Sequence, residues 1–117
     1  DRAKLLAHTL NLAIEDLLNN DKSPKRNVGQ LDNRGSHFYL AKYWSKLIAT
    51  QNQDIKLKNY FNKIFSALKS SESVILDEIK QVQGKKQSIK GYYYPDTQIT
   101  FNLMRPSKTF NSIIDNL

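Results

Sequence analysis

Leu31-Asp32-Asn33-Arg34-Gly35-Ser36-His37-Phe38-Tyr39-Leu40-Ala41-Lys42-Tyr43-Trp44-Ser45-Lys46-Leu47-Ile48 is the stretch on which the reading of this chain turns. In its second half, Leu40, Tyr43, Trp44, Leu47 and Ile48 recur at three- and four-residue steps and share one face of a helix. Ser36 is a natural N-cap, so the pattern predicts a helix from about 36 to 51. The residues before it, Asp32 to Gly35, then belong to a polar loop over 21–35 that also holds Lys22, Lys25, Arg26 and Gly29. That loop is long for a connection in a compact domain, and such loops carry function more often than average.

Working outward, Leu6, Leu10, Ala13, Ile14 and Leu17 predict an amphipathic helix over 3–20, stopped by Asn19-Asn20-Asp21 and by Ser23-Pro24. Downstream, Asp54 can cap a third helix whose apolar face is Leu57, Phe61, Ile64, Phe65 and Leu68. Ser70 or Ser71 caps a fourth, with Ile75, Ile79 and Val82 in register and Gly84 as a stop. Whether the third and fourth are one kinked helix stays open. Residues 85–96 read as an extended segment entering a turn, built on Lys85, Lys86, Lys90, Gly91 and Tyr92-Tyr93-Tyr94-Pro95-Asp96. A short helix over 97–104 follows, and a last one from 106 to about 115, where Pro106 is acceptable at a helix start and Ser107 or Thr109 can satisfy exposed amides. The fold class is mainly α, with about four to six helices.

The chain has 117 residues, which supports a single domain. The absence of Cys excludes disulfides, thiolate metal sites and cysteine nucleophiles, and fits a cytosolic setting. No apolar run approaches the roughly 20 residues of a membrane span. The first residue is Asp, so the chain reads as processed or as a fragment of something longer. Its net charge of +7 invites a nucleic-acid reading. Against that, fourteen of the eighteen cations are Lys, whose commonest role is a solvated helix exterior. With only Arg2, Arg26, Arg34 and Arg105, the places where Arg occurs say more than the total.

The catalytic inventory is thin. The four glycines are too dispersed for a phosphate-binding loop, and neither His8 nor His37 stands at metal-ligand spacing. Glu15/Asp16 and Asp77/Glu78 are sequence neighbours that point apart around a helix, so they do not form an acid–base pair. One constellation stands out. With a helix starting at Ser36, free amides and the positive end of the dipole meet Arg34, a planar fork suited to two phosphate oxygens, and Gly35, Ser36 and His37 beside it. Lys25 and Arg26 would raise the local potential. The plainer reading is that Asp32 pairs with Arg34 or the dipole while Ser36 merely caps, and the residues alone favour it. Arg105 likewise reads first as a salt-bridge partner and second as an anion ligand. Tyr92-Tyr93-Tyr94 beside Lys90 offers a base-stacking alternative.

Residues 31–41 with Tyr43-Trp44 strongly resemble a segment near the C-terminus of the monomeric-type NADP-dependent isocitrate dehydrogenases. Val82-Gln83-Gly84-Lys85, Gly91-Tyr92-Tyr93, Pro95-Asp96, Met104-Arg105-Pro106-Ser107, Thr109 and Phe110-Asn111 match the same family in order, and Ser23-Pro24 fits as well. The resemblance implies that residues 1–117 are a single helical segment, the C-terminal part of the smaller α/β domain of a larger, monomeric, cytoplasmic dehydrogenase of the tricarboxylic acid cycle and glyoxylate bypass. It implies oxidative decarboxylation of isocitrate to 2-oxoglutarate with NADP. Magnesium or manganese, the catalytic residues and the isocitrate ligands would all lie outside this segment, and the isolated chain would be inactive. Its partners would be the rest of the same polypeptide, isocitrate and NADP, with no membrane. By the same resemblance Arg34 matches a basic contact to the 2′-phosphate of NADP, and Asn33, Ser36 and His37 would lie near the cofactor. A guanidinium locked to a carboxylate and out of reach of any ligand would remove Arg34 from that role. Lys42 departs from the family's pattern and is expected on a surface. The alternatives are a small basic nucleic-acid-binding module using Lys85, Lys86, Lys90 and the tyrosines, and a structural docking fragment.

Overall fold

A computed structural model describes residues 1–83 and 97–117. Among them are six helices and no strand: α1 (Arg2–Asn19), α2 (Asn33–Thr50), α3 (Ile55–Ser70), α4 (Glu72–Lys80), α5 (Thr97–Met104) and α6 (Lys108–Asp115). The Gly84 stop, Lys85, Lys86, Lys90 and the Gly91–Asp96 passage lie outside the described residues.

Helices α1, α2, α3 and α6 start on a short polar side chain that accepts from an amide the helix cannot satisfy internally, whereas the expected cap Ser71 makes no such bond at the start of α4. Asp1 accepts from the Ala3 amide at 2.9 Å, Asp54 from Leu57 at 3.0 Å, and Ser107 from Phe110 at 3.0 Å. The start of α2 differs from the expectation. Its cap is Asp32, whose Oδ1 accepts from the Gly35 amide at 3.0 Å, and the helix begins three residues before Ser36. Asp32 caps as well as serine does and adds a charge that suits the dipole. Starting there also carries Ser36 round to the buried side.

On α1 the buried line is Leu5, Thr9 and Ala13, rotated from the expected stripe and leaving Ile14 exposed. Thr9 is the reason. Its hydroxyl donates to the Leu5 carbonyl at 2.8 Å and accepts the Trp44 indole N–H at 3.0 Å, so a polar residue sits at the α1–α2 contact with its hydrogen bonds made.

Helix α2 packs against both α1 and α3, while α6 lies across α3 and α4. Phe38, Tyr39, Leu68, Ile75 and Ile79 form the core cluster, with Phe110 of α6 edge-on to Phe38 at 5.6 Å between ring centres. Ser71 alone separates α3 from α4, which makes them two helices. Lys42 proves to be half-buried rather than on a surface: its ammonium donates to Glu72 at 2.5 Å and ties α2 to α4. Such a pairing satisfies a charge that packing has partly removed from water.

Candidate functional site

Arg34 is the second residue of α2, and its guanidinium is held on two sides. Nε and Nη2 both donate to Oδ2 of Asp32, at 3.0 and 2.7 Å, and Nη1 donates to the Leu103 carbonyl near the end of α5, at 2.9 Å. The two side chains are 17% and 21% exposed. The reading in which Asp32 pairs with Arg34 is therefore realised. Asp32 also takes the helix terminus for itself, through its side chain to the Gly35 amide and its carbonyl to the Ser36 amide. An anion approaching along the helix axis would meet that carboxylate first. What can receive an anion is instead the far side of the guanidinium. The three bonds use three of its five N–H donors, and one on Nη1 and one on Nη2 have no partner among the described residues.

Arg34 is not out of reach. It lines an open cavity of about 340 Å³ together with His37, Met104, Arg105, Ser107 and Asp115. Two guanidinium groups and an imidazole thus converge from the start of α2 and the α5–α6 connection, positions some seventy residues apart in sequence. Arg105 donates to Asp115 at 2.9 Å and lies over the Phe101 ring at 5.0 Å, so it makes the expected salt bridge while facing the same cavity. Its second wall is fixed by Glu78 of α4, which accepts from the Ser107 hydroxyl at 2.9 Å and the Thr109 amide at 3.3 Å. Burial pushes the Glu78 carboxyl upward, but the bonds from Thr109 and Ser107 outweigh it and hold it below the usual carboxylate range.

The cavity unites Arg34 and His37 and leaves out the other two expected neighbours. Ser36 is buried inside the helix and Asn33 is exposed, and neither lines it. Lys25 and Arg26 do not line it either, and Lys25 is paired with Asp21. The Leu103 carbonyl is the contact that sequence reasoning missed: a backbone acceptor 69 residues from its donor leaves no mark on side-chain pattern. No group of three or more potential metal ligands occurs among the described residues, and no described helix is long and apolar enough to cross a membrane.

The family model for monomeric isocitrate dehydrogenase matches residues 1–115. The chain is 50% identical over 115 residues to isocitrate dehydrogenase (NADP) 2 of Mycobacterium tuberculosis, covering 98% of this chain and 15% of that protein. It is 47% identical over 116 residues to isocitrate dehydrogenase (NADP) 2 of a Psychrobacter species, covering 99% and 16%. It is also 47% identical over 113 residues to the isocitrate dehydrogenase (NADP) of Azotobacter vinelandii, covering 97% and 15%. The chain thus spans about 15% of the length of the curated relatives it matches. With the match running through both walls of the cavity and nearly end to end, the chain belongs to the monomeric isocitrate dehydrogenase family.

Proposed function

We propose that this chain is the C-terminal part of an NADP-dependent isocitrate dehydrogenase and that it helps to hold the 2′-phosphate of NADP. The observation that carries this reading is the convergence of Arg34, His37 and Arg105 on one cavity, with the Arg34 guanidinium pinned in a fixed plane. The donor set fits the group. A phosphate dianion needs several N–H donors and positive charge, and a guanidinium presents them in a flat fork. Asp115, the carboxylate on the cavity wall, is tied to Arg105 and so opposes the ligand less than an unpaired acid would. His37 is exposed and adds an imidazole donor at the rim.

NADP supplies the hydride acceptor for oxidation of isocitrate, whose decarboxylation gives 2-oxoglutarate. This chain binds and orients the phosphorylated end of that carrier. The isocitrate ligands, the magnesium or manganese and the proton-transfer groups belong to the remainder of a monomeric, cytoplasmic polypeptide, which is this segment's principal partner. The smaller α/β domain is where the segment belongs.

The test is Arg34→Ala in the full polypeptide, with dissociation constants for NADP and NAD measured by titration. Loss of a charge-assisted contact of about 1.5–3 kcal/mol predicts roughly 10- to 150-fold weaker NADP with NAD little changed. Equal weakening of both nucleotides, at unchanged thermal stability, would remove Arg34 from the phosphate.

A further inference from the structure

We infer that Asp32 is a positioning residue for nucleotide selectivity: fixed as the N-cap of α2, it clamps the Arg34 guanidinium so that the Nη1 and Nη2 protons left over face the 2′-phosphate. This rests on the assignment of Arg34 to that phosphate and adds the element that orients it. The geometry is a two-sided anchor. Oδ1 of Asp32 is committed to the Gly35 amide at 3.0 Å, which fixes the carboxylate plane against the helix backbone. Oδ2 then takes the Nε–Nη2 edge at 3.0 and 2.7 Å, and the Leu103 carbonyl takes Nη1 at 2.9 Å. An arginine so held has given up its rotamer freedom before a ligand arrives. Ordering a long side chain costs conformational entropy, and here that cost falls on folding rather than binding. Against this stands the charge of the carboxylate, which weakens the attraction of Arg34 for any anion. The two effects have opposite signs in a variant, so experiment separates them.

Asp32→Asn and Asp32→Ser are the informative changes, because both residues cap helices well and keep α2 in place. In Asp32→Asn an amide N–H₂ or a neutral carbonyl replaces the charged acceptor, and in Asp32→Ser the side chain no longer spans to the guanidinium. Dissociation constants for NADP and NAD are measured on both variants in the full polypeptide, alongside thermal unfolding. The expected result is about tenfold weaker NADP in each, with NAD within twofold and stability near the parent's. In an Arg34→Ala background neither change should weaken NADP further. Unchanged or tighter NADP binding in Asp32→Asn and Asp32→Ser, while Arg34→Ala still loses NADP selectively, would overturn the positioning role and leave Arg34 as the phosphate ligand. No selective loss in Arg34→Ala would overturn the underlying assignment, and the clamp with it.

Discussion

Gly35 occupies the third position of α2, between the clamped Arg34 and the buried Ser36, and its missing side chain is itself a constraint. A Cβ built there would stand 2.4 Å from Cδ1 of Leu31 and 3.4 Å from its Cγ. Leu31 is half-buried against the core cluster, so moving it gives up packing. Alanine would gain about 1 kcal/mol in helix propensity, whereas overpacking costs about 1–3 kcal/mol. Gly35→Ala is therefore expected to lower stability by about 1 kcal/mol, and in a Leu31→Ala background, where the obstacle is gone, to raise it by a similar amount. Denaturant unfolding of the four variants of that cycle in the full polypeptide checks it; destabilisation by the same amount in both backgrounds would mean that Leu31 is not the obstacle. At this scale the sequence told part of the story. Asp32 and Arg34 are two residues apart, close enough for their pairing to be weighed without coordinates. The choice between Asp32 and Ser36 as cap was not legible, because both residue types cap well and burial of Ser36 decides between them.

At the scale of elements, α4 and α6 are joined by a cap borrowed across the interface. Ser107 is almost fully buried at the start of α6, accepts from the Phe110 amide, and donates to Glu78 of α4, which also accepts from the Thr109 amide. One carboxylate thus stabilises the amino end of a helix to which it does not belong, where negative charge suits the dipole. Truncation in Glu78→Ala removes both bonds and is expected to cost about 1 kcal/mol. The folded carboxyl lies below its ordinary value, so its contribution is complete above the unfolded value of about 4.3 and is lost as the pH falls through that value and below. Thermal unfolding scanned downward from about pH 5.5 should show a shallower loss in Glu78→Gln than in the parent. Asp54 acts in the same direction, its carboxyl lowered chiefly by Arg2, so acid sensitivity would not vanish in the variant. Parallel pH profiles would show that Glu78 titrates alike in both states. The existence of α1 to α4 was readable from periodicity, and that of α6 from the capping residues beside Pro106. The rotation of α1 was not, because Thr9 earns its buried place through hydrogen bonds to Leu5 and Trp44, which an apolar pattern cannot register.

At the scale of the whole molecule, the described part of the chain leaves apolar surface uncovered. Its radius of gyration is 15.8 Å, whereas a compact body of this length would have about 13 Å. Leu18, Val28, Ile55, Val74, Met104 and Leu117 are each more than half exposed. A groove of about 360 Å³ opens between α1, α2, α3 and α6, lined almost wholly by carbon, with Leu6, Trp44, Ile48, Phe61, Ile64 and Leu117 on its walls. Apolar surface costs roughly 25 cal/mol for every Å² left in water, so covering a groove of this kind is favourable. In the long relatives, most of the polypeptide lies outside the region matched here, and under the proposed function that remainder would cover the groove. Removed from it, residues 1–117 are expected to associate with themselves. Light scattering should give a mass above 13.5 kDa that grows with concentration. The single Trp, Trp44, half-buried on the groove wall, should shift its emission to the blue in step. A monomer at every concentration, with emission unchanged, would mean that the exposed stripe is tolerated in water and that the helices close on themselves.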